Sequence, residues 1–536
     1  MSFDTAYNYL LENDFENFEK SIAEYIALEP TLSEEDINRN YNKIKECLLN
    51  KTEEHFDNKD GYITIFRYIY RYLEEKDYDS LNFWLKAATN FQKFELDDLA
   101  LDCYLTCLKF KNNSVELFRV IGELFFKKKN YVKAVKFLEK YVEKVKTNAY
   151  IYNLLGHMYE TLYKSEDVDK QILCFETAYK LEPYNKAFIK NAALVAGKNK
   201  NLAKFIKYSK MILDKNPTND ELFDYACWSF YNKIFKNTHK YYHSRFFKEN
   251  GATPYPDVNN KLWNGEPISA DKKLLIRYEQ GFGDSVMFVR FLPEFKKLVP
   301  NFTFKVQQAL CSLFRYSFPE LEIIPDTEEF ENFEYDYQMP LMDLMSVMKI
   351  TDKTIPLKSG YIDVSEEKRE AFKREHLNTE KFKIGIAFRG NADFTGDNRD
   401  IPVGVLAKIA ELDEVQVYSL QVENKQDLFD LPQSQKITDL SPFLSDFEQT
   451  AAAMKNMDLI ISTDNVLLNL AGAMGLKTFG LFNFYTDYRW FTLKGNNTGW
   501  YNSVTAYKAK RFDDWEELFD RVLDDVRKIS VSYRKN

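Results

Sequence analysis

Along the first 250 residues apolar positions recur at the three-and-four spacing of a helix face and Gly and Pro are sparse, so this half reads as helices throughout. The pattern breaks at Asn250-Gly251-Ala252-Thr253-Pro254 into a polar connection. From 273 short apolar runs alternate with helical stretches. Strands are predicted at 274–278, 302–306, 321–324 and 335–340, with helices at 285–297 and 308–316 and a Met-rich helix after the fourth strand. A charged segment, 365–380, precedes a second alternation, with strands at 382–388, 415–420, 459–461 and 478–482 and a helix over 447–455. Strands alternating with helices predict parallel sheets. The expected organisation is a helical region (1–250), a linker (251–272), two Rossmann-type α/β lobes (273–365 and 380–510) and a C-terminal helix (511–536).

The helical half repeats itself. Trp84, Phe118 and Tyr152 are 34 residues apart, as are Ala88, Gly122 and Gly156, and Phe91, Phe125 and Tyr159; Ala100 and Ala134 share the step. That period belongs to the tetratricopeptide repeat, an α-solenoid of paired helices. The small residue lets two helices approach, and the aromatic three positions on fills the space between them. After Lys164 a unit has about three extra residues, then Phe175, Ala178 and Pro183 resume the pattern, and Pro217 follows 34 later. Core packing accounts for these aromatics; a solenoid of this kind offers a concave groove for a protein or peptide.

In the second half, Leu274-Leu275-Ile276 leads through Gly281-Phe282-Gly283 to Asp284, a strand handed over to a helix by a glycine turn. Open α/β sheets bind ligands outside the carboxyl ends of their strands, where this turn falls. A ligand-binding turn and a purely structural one are both consistent with it. Two such lobes create a cleft between their strand ends, the architecture of GT-B glycosyltransferases.

A net charge of −9, with no basic block, argues against nonspecific nucleic-acid binding. The N-terminus lacks a basic segment followed by an apolar one, and no run approaches 18 apolar residues, so a soluble cytoplasmic protein without a membrane span is expected. The six cysteines are scattered; only Cys103 and Cys107 are close, at helical spacing on an apolar face. His239 and His243, four apart, have no nearby cysteine or carboxylate partner of a metal motif.

A spaced set of motifs carries a resemblance. It comprises Leu262-Trp263-Asn264-Gly265, Glu279 to Asp284, Gly385 to Asn391 ending in Arg-Gly-Asn, and Arg399-Asp400-Ile401-Pro402. Further members are Asp446-Phe447 with Thr450-Ala451, Ser462-Thr463-Asp464 followed by Leu470 to Ala473, and Asp487-Tyr488-Arg489-Trp490 with Trp500-Tyr501. Together, over roughly 260 to 505, they resemble bacterial tetratricopeptide-repeat proteins whose C-terminal domain is similar to glycosyltransferase family 9, the ADP-heptose:lipopolysaccharide heptosyltransferases. The resemblance implies a GT-B-like pair of lobes, with Asp284 as the base that deprotonates the acceptor hydroxyl. It implies donor-binding positions at Gly281, Gly283, Arg389, Asn391, Arg399, Thr463, Asp464 and Asn469.

Each role has a plainer counterpart. Asp284 at a helix start also reads as an N-cap. Asp464 reads as an acceptor from a sugar or ribose hydroxyl, or as a cap; the backbone N–H groups of its helix start suit a diphosphate. Arg399 reads as a cation for the leaving group, or as the partner of Asp397 or Asp400. Asn469 stands where relatives carry histidine five residues after the aspartate, and an amide neither carries positive charge nor shuttles a proton. No DxD metal motif sits at a strand end, so no metal and no cofactor beyond a nucleotide-diphosphate sugar is expected. The leading reading is an inverting glycosyltransferase acting on a protein or surface-glycan acceptor presented by the repeats. The alternative is an inactive scaffold with a degenerate transferase half. A dehydrogenase fits less well, since the third glycine and the ribose-binding acid are missing.

Overall fold

The computed structural model describes residues 3–44 apart from 13, 29–30, 34, 38 and 41, then 63, 81–163, 168–248, 261–327 apart from 264, 334–390, 399–511 and 514–533. Half of the linker expected at 251–272 (251–260 and 264) therefore lies outside the described residues, as do Cys47, Asn391 and Asp397. Packing divides the chain into two compact units, Met1–Leu162 and Tyr163–Asn536.

In the first unit, helices Leu81–Lys93 and Asp97–Phe110 form one hairpin and Val115–Lys127 and Tyr131–Lys144 the next, followed by Ala149–Tyr163. The repeat positions do what their spacing predicts. Ala88, Ala100 and Ala134 are fully buried, as is Phe91, and a Cβ built on Gly122 would lie 2.5 Å from the Leu138 side chain. Only a residue without a side chain lets the two helices of that pair come so close. Cys103 and Cys107 are buried free thiols whose pKa burial pushes up, in keeping with packing roles.

The second unit begins with more paired helices: Val168–Leu181, Lys186–Lys198, Leu202–Leu213, Asn219–Tyr231 and Phe235–Tyr241, closed by a 3-10 turn at Tyr242–Phe247. Phe175 and Ala178 are buried as the repeat requires. Helix Asn219–Tyr231 starts on a reciprocal cap, Thr218 accepting from the Glu221 N–H while Glu221 accepts from that of Thr218. Its inner residues Ala226, Cys227, Phe230 and Tyr231, with Tyr242, share one apolar core with the α/β elements that follow.

The α/β part holds two sheets with every strand pair parallel. The first is built from β1 (Leu274–Arg277), β2 (Phe302–Val306), β3 (Glu322–Pro325) and β4 (Tyr337–Pro340), in the order β3-β2-β1-β4. The second contains β5 (Phe382–Ala387), β6 (Val415–Ser419), β7 (Ile437–Asp439), β8 (Leu459–Thr463), β9 (Thr478–Phe482) and β10 (Val504–Lys508), in the order β10-β9-β8-β5-β6-β7. Nearly continuous apolar runs such as Leu459-Ile460-Ile461 follow from burial on both faces. Both orders reverse once, between β1 and β4 and between β5 and β8, and such switch points open crevices at the strand ends. The C-terminal helix Trp515–Tyr533 lays Leu518, Phe519 and Val522 against the second sheet's core.

Several elements differ from expectation. The single helix expected at 285–297 is three short pieces, Phe282–Phe288, the 3-10 turn Val289–Phe291 and Leu292–Lys296, because Pro293 enters at the first turn of the last. The Met-rich segment is a 3-10 turn, Leu341–Asp343, and a one-turn helix, Leu344–Val347. The charged segment between the lobes is helical over Glu366–His376, capped by Ser365, with Phe372 its only buried residue. Strands β7 and β10 are additional to those predicted. Among the described residues no helix is long and apolar enough to cross a membrane.

Candidate functional site

The switch points of the two sheets face one another across a cleft of about 490 Å³. Strand β1 runs through Glu279 and Gln280 into the glycine turn, so Gly281, Gly283 and Asp284 form the wall on the first lobe. From the second lobe come Arg389 and Gly390 after β5, Arg399, and Asp464 and Asn465 after β8, with Arg489 from the segment that follows β9. Of the nine residues singled out from the sequence, seven line this cleft: Gly281, Gly283, Asp284, Arg389, Arg399, Asp464 and Asn469. Thr463 lies just beneath, and Asn391 is outside the described residues.

At Gly283 the turn of the first lobe packs closely on the second lobe. A Cβ there would lie 3.3 Å from Asn469 Nδ2 and 3.6 Å from Val466 Cα, so an alanine would require the Asn469 side chain to give by a few tenths of an ångström against the second lobe's helix Val466–Ala473. Nearby, the Phe282 and Phe447 rings meet at a 54° tilt with centroids 4.9 Å apart.

Asp284 is not the N-cap of its helix. Gly281 holds that position, and Asp284, three residues in, reaches back so that Oδ2 accepts from the Gly281 N–H at 3.2 Å. Its other oxygen accepts from Arg489 at 2.6 Å. Burial pushes the Asp284 carboxyl above the usual carboxylate range, with Asp487 adding to the rise and Arg489 opposing it. Arg489 is itself held by Asp487, Nε to Oδ1 2.9 Å, and by Gln280 at 3.2 Å, so one guanidinium ties the two lobes together. The sequence motif contained Arg489, yet nothing local to it signals that it meets an aspartate 205 positions earlier.

At the second lobe Asn465, not Asp464, caps the helix. Its Oδ1 accepts from the Leu467 and Leu468 N–H groups at 2.9 and 3.1 Å, which satisfies two of the donors expected to receive a diphosphate. Asp464 is thereby left with its carboxyl in the cleft wall. Burial lifts its pKa to about 6, against the pull of Arg399. Thr463 turns its hydroxyl to the Arg399 carbonyl and so fixes the strand beside it.

The three cleft arginines differ in occupation. Arg389 pairs with Asp427 and Asp400, and Arg489 with Asp284 and Asp487. Arg399 makes no ion pair among the described residues; its polar contact is to the Asp464 carbonyl at 3.4 Å. The pair with Asp400 is not formed, since Asp400 receives Arg389 and the Gly390 N–H instead. Among the described residues Arg399 is therefore the cleft arginine without a carboxylate partner.

Asn469 is engaged on both sides of its amide. Its Oδ1 accepts from the Tyr501 hydroxyl at 2.8 Å, and Nδ2 donates to the Asn465 carbonyl at 3.0 Å. Both bonds are internal to the second lobe, so the amide is a packing element there. Glu279, part of the glycine-turn motif, is likewise structural: buried, it takes a two-pronged contact from Arg245 at 2.9 and 2.7 Å and the Met342 N–H at 3.0 Å. No group of three or more His, Cys, Asp or Glu that could hold a metal ion is found among the described residues.

No protein-family model matches the chain. Protein FlbA of Caulobacter vibrioides is 23% identical over 321 residues, which take in 54% of this chain and 52% of FlbA, so the chain spans about half the length of the curated relative it matches. Among solved structures, E. coli ADP-heptose lipopolysaccharide heptosyltransferase II is 14% identical with a TM-score of 0.36, covering 49% of this chain and 99% of that one. A glycosyl transferase family 9 protein from Veillonella parvula is 13% identical with a TM-score of 0.36, covering 47% and 89%. MamA is 17% identical with a TM-score of 0.29, covering 34% and 97%. Each is a likeness of fold. Helix hairpins at a 34-residue period, followed by two facing parallel-sheet lobes, give this chain a tetratricopeptide-type helical region joined to a GT-B-like α/β region.

Proposed function

We propose that the chain is a glycosyltransferase that moves a sugar from a nucleotide-diphosphate sugar to a hydroxyl of a protein or surface-glycan acceptor brought by the helical region. The observation that carries this reading is the convergence of Asp284 from one lobe with Arg399 and Asp464 from the other on a single interlobe cleft. A buried carboxylate with a raised pKa is suited to general-base work on an acceptor hydroxyl. Arg399 is suited to the charge that develops on a departing nucleotide diphosphate. Asp464 accepts from a hydroxyl of the donor rather than contacting its phosphates.

For Asp284 to act as a base, its bond to Arg489 is exchanged for one to the acceptor, and Arg489 retains Asp487 when that happens. The full chain, incubated with a panel of nucleotide sugars, is then expected to release free nucleotide from one of them as the sugar passes slowly to water in place of the acceptor hydroxyl. Asp284→Asn should abolish that release and leave nucleotide affinity within a few fold. Equal loss of affinity would make Asp284 a structural group and end its role as base.

A second reading, a binding scaffold without turnover, is favoured by one observation: Asn469, bonded to Tyr501 and Asn465, brings no charge to the cleft.

A further inference from the structure

We infer that Arg489 is a positioning residue for the Asp284 carboxylate, and that residues 230–247, the end of the helical region, brace both sides of that pair. The inference rests on the reading of Asp284 as the base, and it gives the helices a part in the site beyond holding a partner.

Arg489 sits on an irregular segment between β9 and β10, with a 3-10 turn over Tyr488–Trp490. Such a segment has no sheet ladder to fix it, and its supports come from outside. The Trp500 indole donates to the Arg489 carbonyl at 2.7 Å. Trp490 also packs on Phe482 and Tyr501 within the lobe, and Phe491 on Trp500. The helices add further contacts: the Tyr485 hydroxyl donates to Asn199 at 3.1 Å, the Tyr231 and Thr486 hydroxyls meet at 3.3 Å, and those of Tyr242 and Tyr488 at 2.8 Å. Phe491 stacks on Phe230 with centroids 4.0 Å apart. These four contacts flank position 489 on both sides.

The same helical end reaches the other lobe. Arg245, three residues after Tyr242 and stacked on its ring at 4.4 Å, holds Glu279 at the exit of β1, five residues before Asp284. Arg245 also pairs with Asp343 at 2.6 Å, which His243 contacts at 2.6 Å. All of Tyr242, Arg245, Glu279 and Asp343 are buried. One short stretch of helix thus fixes the turn that presents Asp284 and the segment that presents Arg489. An α/β half cut off at 255 would lose these supports.

Hydrogen exchange of the full chain, followed by mass spectrometry, tests the brace without any substrate, so its outcome stands apart from whether the chain transfers a sugar. Tyr242→Phe removes the hydroxyl that contacts both Tyr488 and the Met342 sulfur and should speed exchange threefold or more in 484–491 and also in 281–288. Arg489→Gln should speed 281–288 to a similar degree, and Arg489→Lys should restore most of the protection. The helix Trp515–Tyr533 serves as the control and should not change. Unaltered exchange in 281–288 in both variants would overturn the inference, as would an equal rise in the control helix, which would mark general loosening of the fold.

Discussion

Asp284 and Arg489 meet at 2.6 Å across the two lobes, 205 residues apart in sequence, and each is mostly buried when they do. A buried pair of this kind is weak support for stability, because desolvation of both charges offsets their attraction. Its value lies in placement. It holds a carboxylate in the wall of a cleft that also contains a cation, Arg399, whose side chain makes no ion pair among the described residues and contacts the Asp464 carbonyl there.

The Asp464 carboxyl makes stability depend on pH. Its pKa rises from 3.8 to about 6 on folding, so the folded state keeps a proton that the unfolded chain releases. Stability therefore falls as pH rises through that window, and the cost persists above it; the shift corresponds to about 3 kcal/mol. Asp464→Asn removes the cost. Urea unfolding should find the variant more stable than the parent at pH 7.5, by up to that amount, and nearly equal to it at pH 4. The same difference at both pH values would show that Asp464 is not held protonated by its surroundings.

Asn469→His, which restores the residue type expected from the resemblance, should not be benign. The Asn469 carbonyl receives the Tyr501 hydroxyl, and its amide lies against the backbone of the first lobe's turn at Gly283. A larger ring must displace one of these, at a cost of about 1–3 kcal/mol. Tyr501→Phe made alone and together with Asn469→His completes a cycle: a strongly non-additive pair confirms the shared contact, and simple additivity contradicts it.

Glu279→Gln should lower unfolding stability by about 3 kcal/mol, since it leaves the buried Arg245 with Asp343 alone. Nucleotide affinity should be unchanged at pH 7, because Glu279 faces the helical region and not the cleft. A variant that folds normally but loses nucleotide would place Glu279 in the site after all.

Much of this was legible in the sequence, for a physical reason in each case. The 34-residue period survives because every repeat packs the same small residues at the same helix contact, as Ala100, Ala134 and Gly122 do. Strands β2 and β9 fall on their predicted limits because their apolar residues, Phe302, Phe304 and Val306 in one and Phe479, Leu481 and Phe482 in the other, are buried in the sheets. Asp284 and Asp464 were visible because glycine turns and strand ends mark switch points. The partners of these groups were not. Arg489 and Asp284 are joined only by the tertiary fold, and Glu279 looks like part of a ligand motif until Arg245 is found against it. Asp464 and Asn465 are adjacent residues of similar capping chemistry, and only backbone direction assigns the cap to Asn465. The helix Glu366–His376 escaped notice because one buried residue, Phe372, leaves almost no periodic signal.

The central claim is that the interlobe cleft holds a nucleotide diphosphate against Arg399. Calorimetric titration of the full chain with nucleoside diphosphates and nucleotide sugars, alongside Arg399→Ala and Arg389→Gln, tests it most directly. The account predicts selective micromolar binding to the parent chain and a loss of tenfold or more in Arg399→Ala with unchanged thermal stability. Arg389→Gln should show a smaller loss, because Asp427 and Asp400 already occupy Arg389. Absence of binding to the folded parent, or binding that Arg399→Ala leaves intact, would contradict it.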